Sequence, residues 1–188
     1  MGITPRSGER VAKLELPLAG SAEDRERTFT RLLDGALDRS YRLAAVILGE
    51  QEEAEDATHD AAVRAWQRMG TLRDPENFEP WFQRILINVC RTRLRTRRRP
   101  PALMLAPTQR DLTEESVEHA ALKEALATLT FEHRTVIALR YLDDLKIEQI
   151  ANRVGVRSGT VKSRLHYALN QLRAAYDAAE RTRPGTRP

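Results

Sequence analysis

The sequence predicts an all-α fold: two small helical domains joined by a flexible linker. Three observations predict it. Apolar residues recur at three- and four-residue steps through most of the chain, the period of a helix with one buried face, and alternating β-branched runs are scarce. The periodic stretches stop at helix-breaking residues, Gly49, Asp74-Pro75, Pro100-Pro101 and Gly155. Between two periodic blocks lies a stretch from about 99 to 113, basic at its start and containing Pro107, with little periodicity of its own.

The composition excludes several classes. An apolar fraction of 41% and a charged fraction of 31% suit a helix-rich chain with core enough for one domain or two small ones. Cys90 is the only cysteine, and His59, His119, His133 and His166 are scattered, so neither a disulfide framework nor a metal-ligand set is spelled out and no cofactor is expected. No apolar run approaches the roughly 20 residues of a membrane span, and no signal-peptide core opens the chain. A cytoplasmic protein without membrane insertion follows as the expectation. The net charge of +4 hides a division: residues 22–79 carry 14 acidic against 8 basic side chains, whereas residues 80–110 carry eight arginines and no acid. Such asymmetry implies separate faces for separate partners, the basic ones suited to phosphate backbones.

Taken in order, residues 1–22 mix Gly, Pro, Ser and charge without sustained periodicity and read as a mobile leader. From Glu23 to Leu48 a long helix, or two, gathers Phe29, Leu32, Leu33, Ala36, Leu37, Tyr41, Leu43, Ala44, Ile47 and Leu48 on its apolar side, and Gly49 stops it. Glu50 to Met69 opens acidic and closes with arginines, complementing the helix dipole. Ala54, Ala57, Ala61, Ala65 and Trp66 offer a narrow packing face, with Asp56, His59, Asp60 and Arg64 projecting elsewhere.

After a loop over 70–80, a helix from Trp81 to about Arg97 begins apolar and ends arginine-rich. Trp81 and Phe82 suit either a core or a stacking platform for unpaired bases, and Cys90 reads as a packed side chain rather than a nucleophile. The second block starts with caps at Thr113 to Ser116 and a helix face of Val117, Ala121, Leu122, Ala125, Leu126 and Leu129. Thr130 caps a further helix with Phe131, Val136, Ile137, Leu139, Arg140 and Tyr141, and Asp143-Asp144 marks a turn.

Leu145 to Arg173 then has the spacing of a helix-turn-helix. Ile147, Ile150, Ala151 and Val154 line one helix, Gly155 supplies a left-handed turn, and a second helix starts near Ser158 or Gly159, with Ser158 as its expected N-cap. Val161, Leu165, Ala168 and Leu172 face inward. Arg157, Thr160, Lys162, Ser163, Arg164 and Tyr167 face outward, and no acidic residue occurs between Gln149 and Tyr176. A basic second helix of this kind lies in the major groove of DNA. Residues 180–188 read as a disordered tail.

These pieces, AEDATHDAAVRAWQRM, then PWFQRILINVCRTRLRTRRRP, then the stretch from Ala125 to Arg173, together resemble a bacterial RNA polymerase sigma factor of the extracytoplasmic-function (ECF) group, in the sigma-70 family. The resemblance covers roughly residues 29–173. It implies a sigma-2-like bundle at 23–98, a linker at 99–113 and a sigma-4-like helix-turn-helix domain at 114–179, with no enzymatic activity.

It also implies partners: core RNA polymerase, through its beta and beta-prime subunits, promoter DNA, duplex and melted, and in many members an anti-sigma factor, which nothing here identifies. Polymerase contact would fall to the helix bearing Asp56, His59, Asp60, Arg64 and Trp66. Relatives commonly have Gln-Glu where this chain has His59-Asp60, and larger apolar residues at Ala61 and Ala62, which shrinks that surface. The downstream promoter element would meet Trp81, Asn88, Arg91, Thr92, Arg95, Arg97 and Arg98, the last two with Arg99 on the phosphate backbone. The upstream element would meet Arg157, Ser158, Thr160, Lys162, Ser163, Arg164 and Tyr167. A stand-alone helix-turn-helix regulator would share only the second half of this pattern and has no use for the Trp81 helix. A small nuclease would have to be built on the acidic run 50–56, and an adaptor would not depend on Lys162 and Arg164.

Overall fold

The computed structural model describes residues 21–96 and 114–182. The expectations for the leader up to residue 20, for the linker with Arg97 and Arg98, and for residues 183–188 lie outside the described residues, while Ser21 and Ala22, read as the end of the leader, instead cap and open the first helix. Among the described residues seven helices follow one another: α1 (Ala22–Leu48), α2 (Gln51–Arg68), α3 (Phe78–Thr96), α4 (Glu114–Ala127), α5 (Phe131–Tyr141), α6 (Ile147–Val154) and α7 (Ser158–Thr182). Short 3₁₀ turns at Met69–Thr71 and Pro75–Asn77 carry the chain from α2 to α3.

Helix α1 is one continuous helix because both of its ends are well closed. Ser21 and Asp24 form a reciprocal capping box, and these hydrogen bonds hold the Asp24 carboxyl below its ordinary range. At the far end Gly49 takes the left-handed conformation (φ 81°) and donates its N–H to Ala45 O. The alanine face of α2 is real. Ala54, Ala57, Ala61 and Ala65 are all fully buried, and their small side chains let α2 lie close against α1 and α3.

Helix α3 begins three residues earlier than the sequence reading placed it. Asp74 caps the preceding 3₁₀ turn by accepting from Glu76 N at 3.0 Å. Pro80 falls in the first helical turn, where a missing N–H forfeits no hydrogen bond, so proline does not delay the start. Phe78, gained in this way, is buried and stacks on Phe82 while standing edge-on to Phe29. This triad closes one end of the α1–α2–α3 bundle.

In the second unit α4, α5 and α6 all pack on α7. Two expectations at α4 fail: Ser116 lies inside the helix rather than capping it, and Leu122 is exposed. Ala125 and Leu129 are buried as expected. Thr130 caps α5, accepting from His133 N at 3.3 Å, and Val136, Ile137 and Leu139 are buried, but Tyr141 is exposed. The turn after α6 has Gly155 at φ 72°, with the N–H groups of Gly155 and Val156 both donating to Ala151 O. Ser158 proves to be a helical residue and not the N-cap; the carbonyl that starts α7 is that of Arg157, which accepts from Thr160 and Val161 N–H. Helix α7 also runs to Thr182, past the end assigned from sequence, because the run after Arg173 is rich in alanine and holds no breaker before Pro184.

The two units are packed on each other. Helix α1 lies against α5 and α3 against α6, and the buried apolar cluster runs through both. Arg134 of α5 seals one contact: its guanidinium, largely buried, donates to Ile47 O at the end of α1 and to Ala127 O and Leu129 O beside its own helix. Burial pushes its pKa down.

Candidate nucleic-acid interface

A helix advances about 100° per residue, so Trp81, Arg84, Asn88, Arg91, Thr92 and Arg95 of α3 fall within an arc of about 100°. Phe82, Leu86, Val89 and Cys90 are buried. This answers the question the two aromatics posed. Phe82 is core, whereas Trp81 is half-buried, tilted against Phe78. Asn88, Thr92 and Arg95 are exposed, and Asn88 lies beside Arg91 (Oδ1 to Nη1, 3.5 Å). The Thr92 hydroxyl donates back to Asn88 O at 2.9 Å. Cys90 is fully buried, and desolvation pushes its thiol up to about 12, which rules out a thiolate nucleophile at neutral pH.

Arg93 leaves the α3 arc and turns to α2. Its guanidinium donates to Asp60 at 2.7 Å and to Glu53 and Asp56 at 3.3 Å each. Hydrogen bonding to Asp60 is the main reason its pKa is raised. The sequence reading missed Arg93 because it sits among eight arginines, and charge alone does not say which of them face α2. Around it, α2 presents Asp56, His59 and Arg64 to solvent, with Asp60 half-buried under Arg93. Trp66 parts from this group. It stands edge-on to Phe29 at 5.2 Å with the Arg25 guanidinium 4.9 Å above its ring, so it packs partly on α1 while staying 36% exposed.

On α7, Val161, Leu165 and Ala168 are buried, while Arg157, Thr160, Lys162, Ser163 and Tyr167 are exposed and Arg164 is half-buried. The Ser163 hydroxyl is turned back to Gly159 O at 3.1 Å, leaving Thr160 and Lys162 the freer groups. Tyr167 lies between His133 and His166, and His133 Nδ1 is 2.9 Å from Gln171 Oε1, so α5 braces the outer face of α7.

Where the units meet, the contact is polar. Gln83 of α3 is fully buried; its amide donates to Asp143 at 2.9 Å and its carbonyl oxygen accepts from Arg153. Arg39 of α1 pairs with Glu79 at 3.0 Å and lies 3.7 Å from Asp143, whose side chain is 2% exposed. Burial raises the Asp143 pKa against the pull of Gln83 and Arg39, and burial likewise lowers that of Arg153. Arg84 donates to Asn152 O, and the Arg91 guanidinium lies 5.1 Å from the Phe131 ring centre. Periodicity gave no sign of this network, since its members are mostly polar and charged residues far apart in the chain.

The chain is similar to known proteins along most of its length. A family model described as Sigma-70 region 2 matches residues 32–100, and one described as Sigma-70, region 4 matches residues 125–174. RNA polymerase sigma factor SigV of Bacillus subtilis is 34% identical over 136 residues, spanning 71% of this chain and 81% of that protein. ECF RNA polymerase sigma factor SigL of Mycobacterium tuberculosis is 30% identical over 168 residues, 83% of this chain and 93% of the other. Among solved structures, the sigma factor RpoE of Bartonella quintana, in complex with the anti-sigma factor NepR, superposes with a TM-score of 0.66 at 24% identity, covering 80% of this chain and 98% of that one. CnrH, in complex with the cytosolic domain of CnrY, gives 0.63 at 23% identity over 81% and 90%. These two likenesses establish a shared fold.

Proposed function

Since the chain belongs to the sigma-70 family of RNA polymerase sigma factors, in its extracytoplasmic-function group, we propose that α2 docks on core RNA polymerase while α3 and α7 read two separate promoter elements. The observation that carries this reading is the division of the surface. Arginines and a half-buried tryptophan share one arc of α3, a second set of cations lines α7, and exposed carboxylates lie on α2, where a basic partner surface would meet them. A stand-alone regulator would leave the region 2 match over 32–100 without a role.

In this reading Arg157, Thr160, Lys162 and Arg164 enter the major groove of the upstream element. Base-directed arginine or lysine contributes about 1–3 kcal/mol of discrimination, and phosphate contacts set affinity and its salt dependence. Trp81 and Arg91 meet bases released from the duplex, each stacked base contributing about 1–3 kcal/mol towards melting. Asp56, His59 and Arg64 form the polymerase contact, with Asp60 fixed beside them by Arg93 and Trp66 anchoring α2 to α1. The protein performs no reaction of its own and works in the cytoplasm beside the polymerase it directs. The similar sigma factor solved with an anti-sigma factor supports expecting such a partner here too.

The test is transcription by core polymerase on a pool of genomic promoters, with and without the protein. Promoter-selective transcripts should appear only in its presence and should be lost when Lys162 and Arg164 are both alanine. Tight, selective binding to duplex promoter DNA without polymerase would instead favour the stand-alone regulator.

A further inference from the structure

Resting on the reading of α7 as the helix that meets the upstream duplex, we infer that His166 and His133 are further contacts to its phosphate backbone, and that they take up protons as the duplex binds. In the sequence the four histidines look scattered, but the fold brings these two to either side of Tyr167. Successive helical residues stand about 100° apart, so His166 projects about 40° from Lys162 on one side and about 60° from Ser163 on the other. It therefore lies inside the outward arc, opposite the buried Val161, Leu165 and Ala168, and both it and Tyr167 are exposed. His133, in the first turn of α5, continues that surface beyond Tyr167. Its ring is 6.5 Å from the Tyr167 ring and tilted only 18° to it, and its Nδ1 is tied to Gln171, one turn further along α7.

The hydrogen bonds decide where a proton goes. Gln171 Oε1 can only accept, so His133 Nδ1 carries a hydrogen and the position left to titrate is Nε2. A neutral ring has a lone pair there, which repels a phosphate oxygen; a protonated ring has an N–H, which donates to it with the strength of a charged group. In His166 the Asn170 amide donates to Nε2 at 3.1 Å, so the neutral ring carries its hydrogen on Nδ1. A proton on Nε2 displaces that amide and leaves an exposed ring with two donors. Histidine ordinarily changes charge between about pH 5 and 8, the range in which a phosphate neighbour can decide the outcome.

The surroundings tie the charge to the DNA. Asn170 and Tyr167 flank His166, and Lys162 lies one turn before it. When Lys162 and His166 are both charged they repel across that turn, and a phosphate against them removes the repulsion. His133 is faced by Tyr167 and Gln171 of α7, with Glu132 and Arg134 as its charged neighbours in the chain. Arg134, where α1 meets α5, is occupied by Ile47 O, Ala127 O and Leu129 O. From Ser158 to Tyr176 α7 has no carboxylate, so the helix itself offers the new cations no counterion.

The experiment is fluorescence anisotropy of the full chain on a short mixed-sequence DNA duplex, over a salt series at about pH 8 and about pH 6. If binding takes up protons, affinity rises as pH falls, here by about tenfold, the worth of one charge-assisted hydrogen bond. The salt dependence should also steepen at the lower pH, by about 0.9 in slope for each histidine that meets a phosphate. His133→Gln combined with His166→Gln should remove most of the rise. His166→Lys, with a fixed charge, should bind more tightly than the parent at the higher pH and give a flatter profile. Circular dichroism at both pH values shows whether each variant is folded. A doubly substituted chain with the parent's full pH dependence would overturn the inference, as would a parent salt slope that does not change with pH. If the double variant fails to fold, His166→Lys decides alone, and a profile as steep as the parent's overturns it. If Lys162→Ala with Arg164→Ala leaves duplex affinity unchanged at both pH values, α7 is not the duplex face and the reading beneath the inference fails instead.

Discussion

Replacing Arg93 by alanine takes one guanidinium away from three carboxylates at once. The shortest contact, 2.7 Å to Asp60, joins a side chain one quarter exposed to one 43% exposed; those to Glu53 and Asp56 are longer at 3.3 Å, and Asp56 is two-thirds in solvent. Exposed pairs contribute about 0.2–1 kcal/mol each, so the Asp60 contact belongs near the top of that range and the others near its middle, about 2 kcal/mol together. For a chain of this length such a loss lowers the melting temperature by about 4–8 °C. The assay is thermal unfolding followed by circular dichroism, with Arg93→Met as a control that keeps the aliphatic stem. Screening separates charge from packing: at about 1 M salt, where the Debye length is about 3 Å, the Arg93→Met deficit should shrink by more than half. A melting temperature within about 1 °C of the parent at low salt would refute the idea that Arg93 ties α3 to α2.

Two further outcomes follow from single residues. Gly155→Ala places a Cβ on backbone at φ 72°, with open space around it, so the cost is conformational, about 1–2 kcal/mol, and Gly155→Asn should recover part of it in the same melting assay. For Cys90 the folded pKa, about 12, lies above the ordinary 9.0, so its contribution to stability is complete below 9.0 and is lost as pH rises towards 12. Relative to Cys90→Ala, the parent chain should lose about 1.4 kcal/mol per pH unit above that point in urea titrations, and parallel curves would contradict the burial argument.

What could be read from sequence was whatever leaves a period. The four alanines of α2 announced a thin packing face because they recur at helical steps, and Gly49 and Gly155 announced turns because only a residue without Cβ takes left-handed backbone freely. Boundaries were less legible. The start of α3 was hidden by Pro80, which reads as a breaker until its place in the first turn is known, and Ser158 looked like a cap until Arg157 O was seen to start α7. Angular arithmetic on α3 would have separated Arg84 and Arg91 from Arg93, since the last falls well outside their arc. No such device finds Asp143 against Gln83, sixty residues apart, because two polar side chains meeting across a domain contact leave no repeat in either segment.

Arg134 gives the end of α1 an unusual dependence. A helix normally closes its own terminus, with a cap drawn from the next few residues or with water. Here Gly49 satisfies Ala45, but the carbonyl of Ile47 is completed by a guanidinium from a helix 87 residues away, in the other half of the molecule. When the halves separate, that oxygen must turn to solvent, and Arg134 keeps only the two carbonyls beside its own helix. The last turn of α1 therefore reports on the distance between the domains. Anchored in this way, the end of α1 should fray less while the units stay packed than after they part, and amide exchange over that last turn would register the difference without an attached probe.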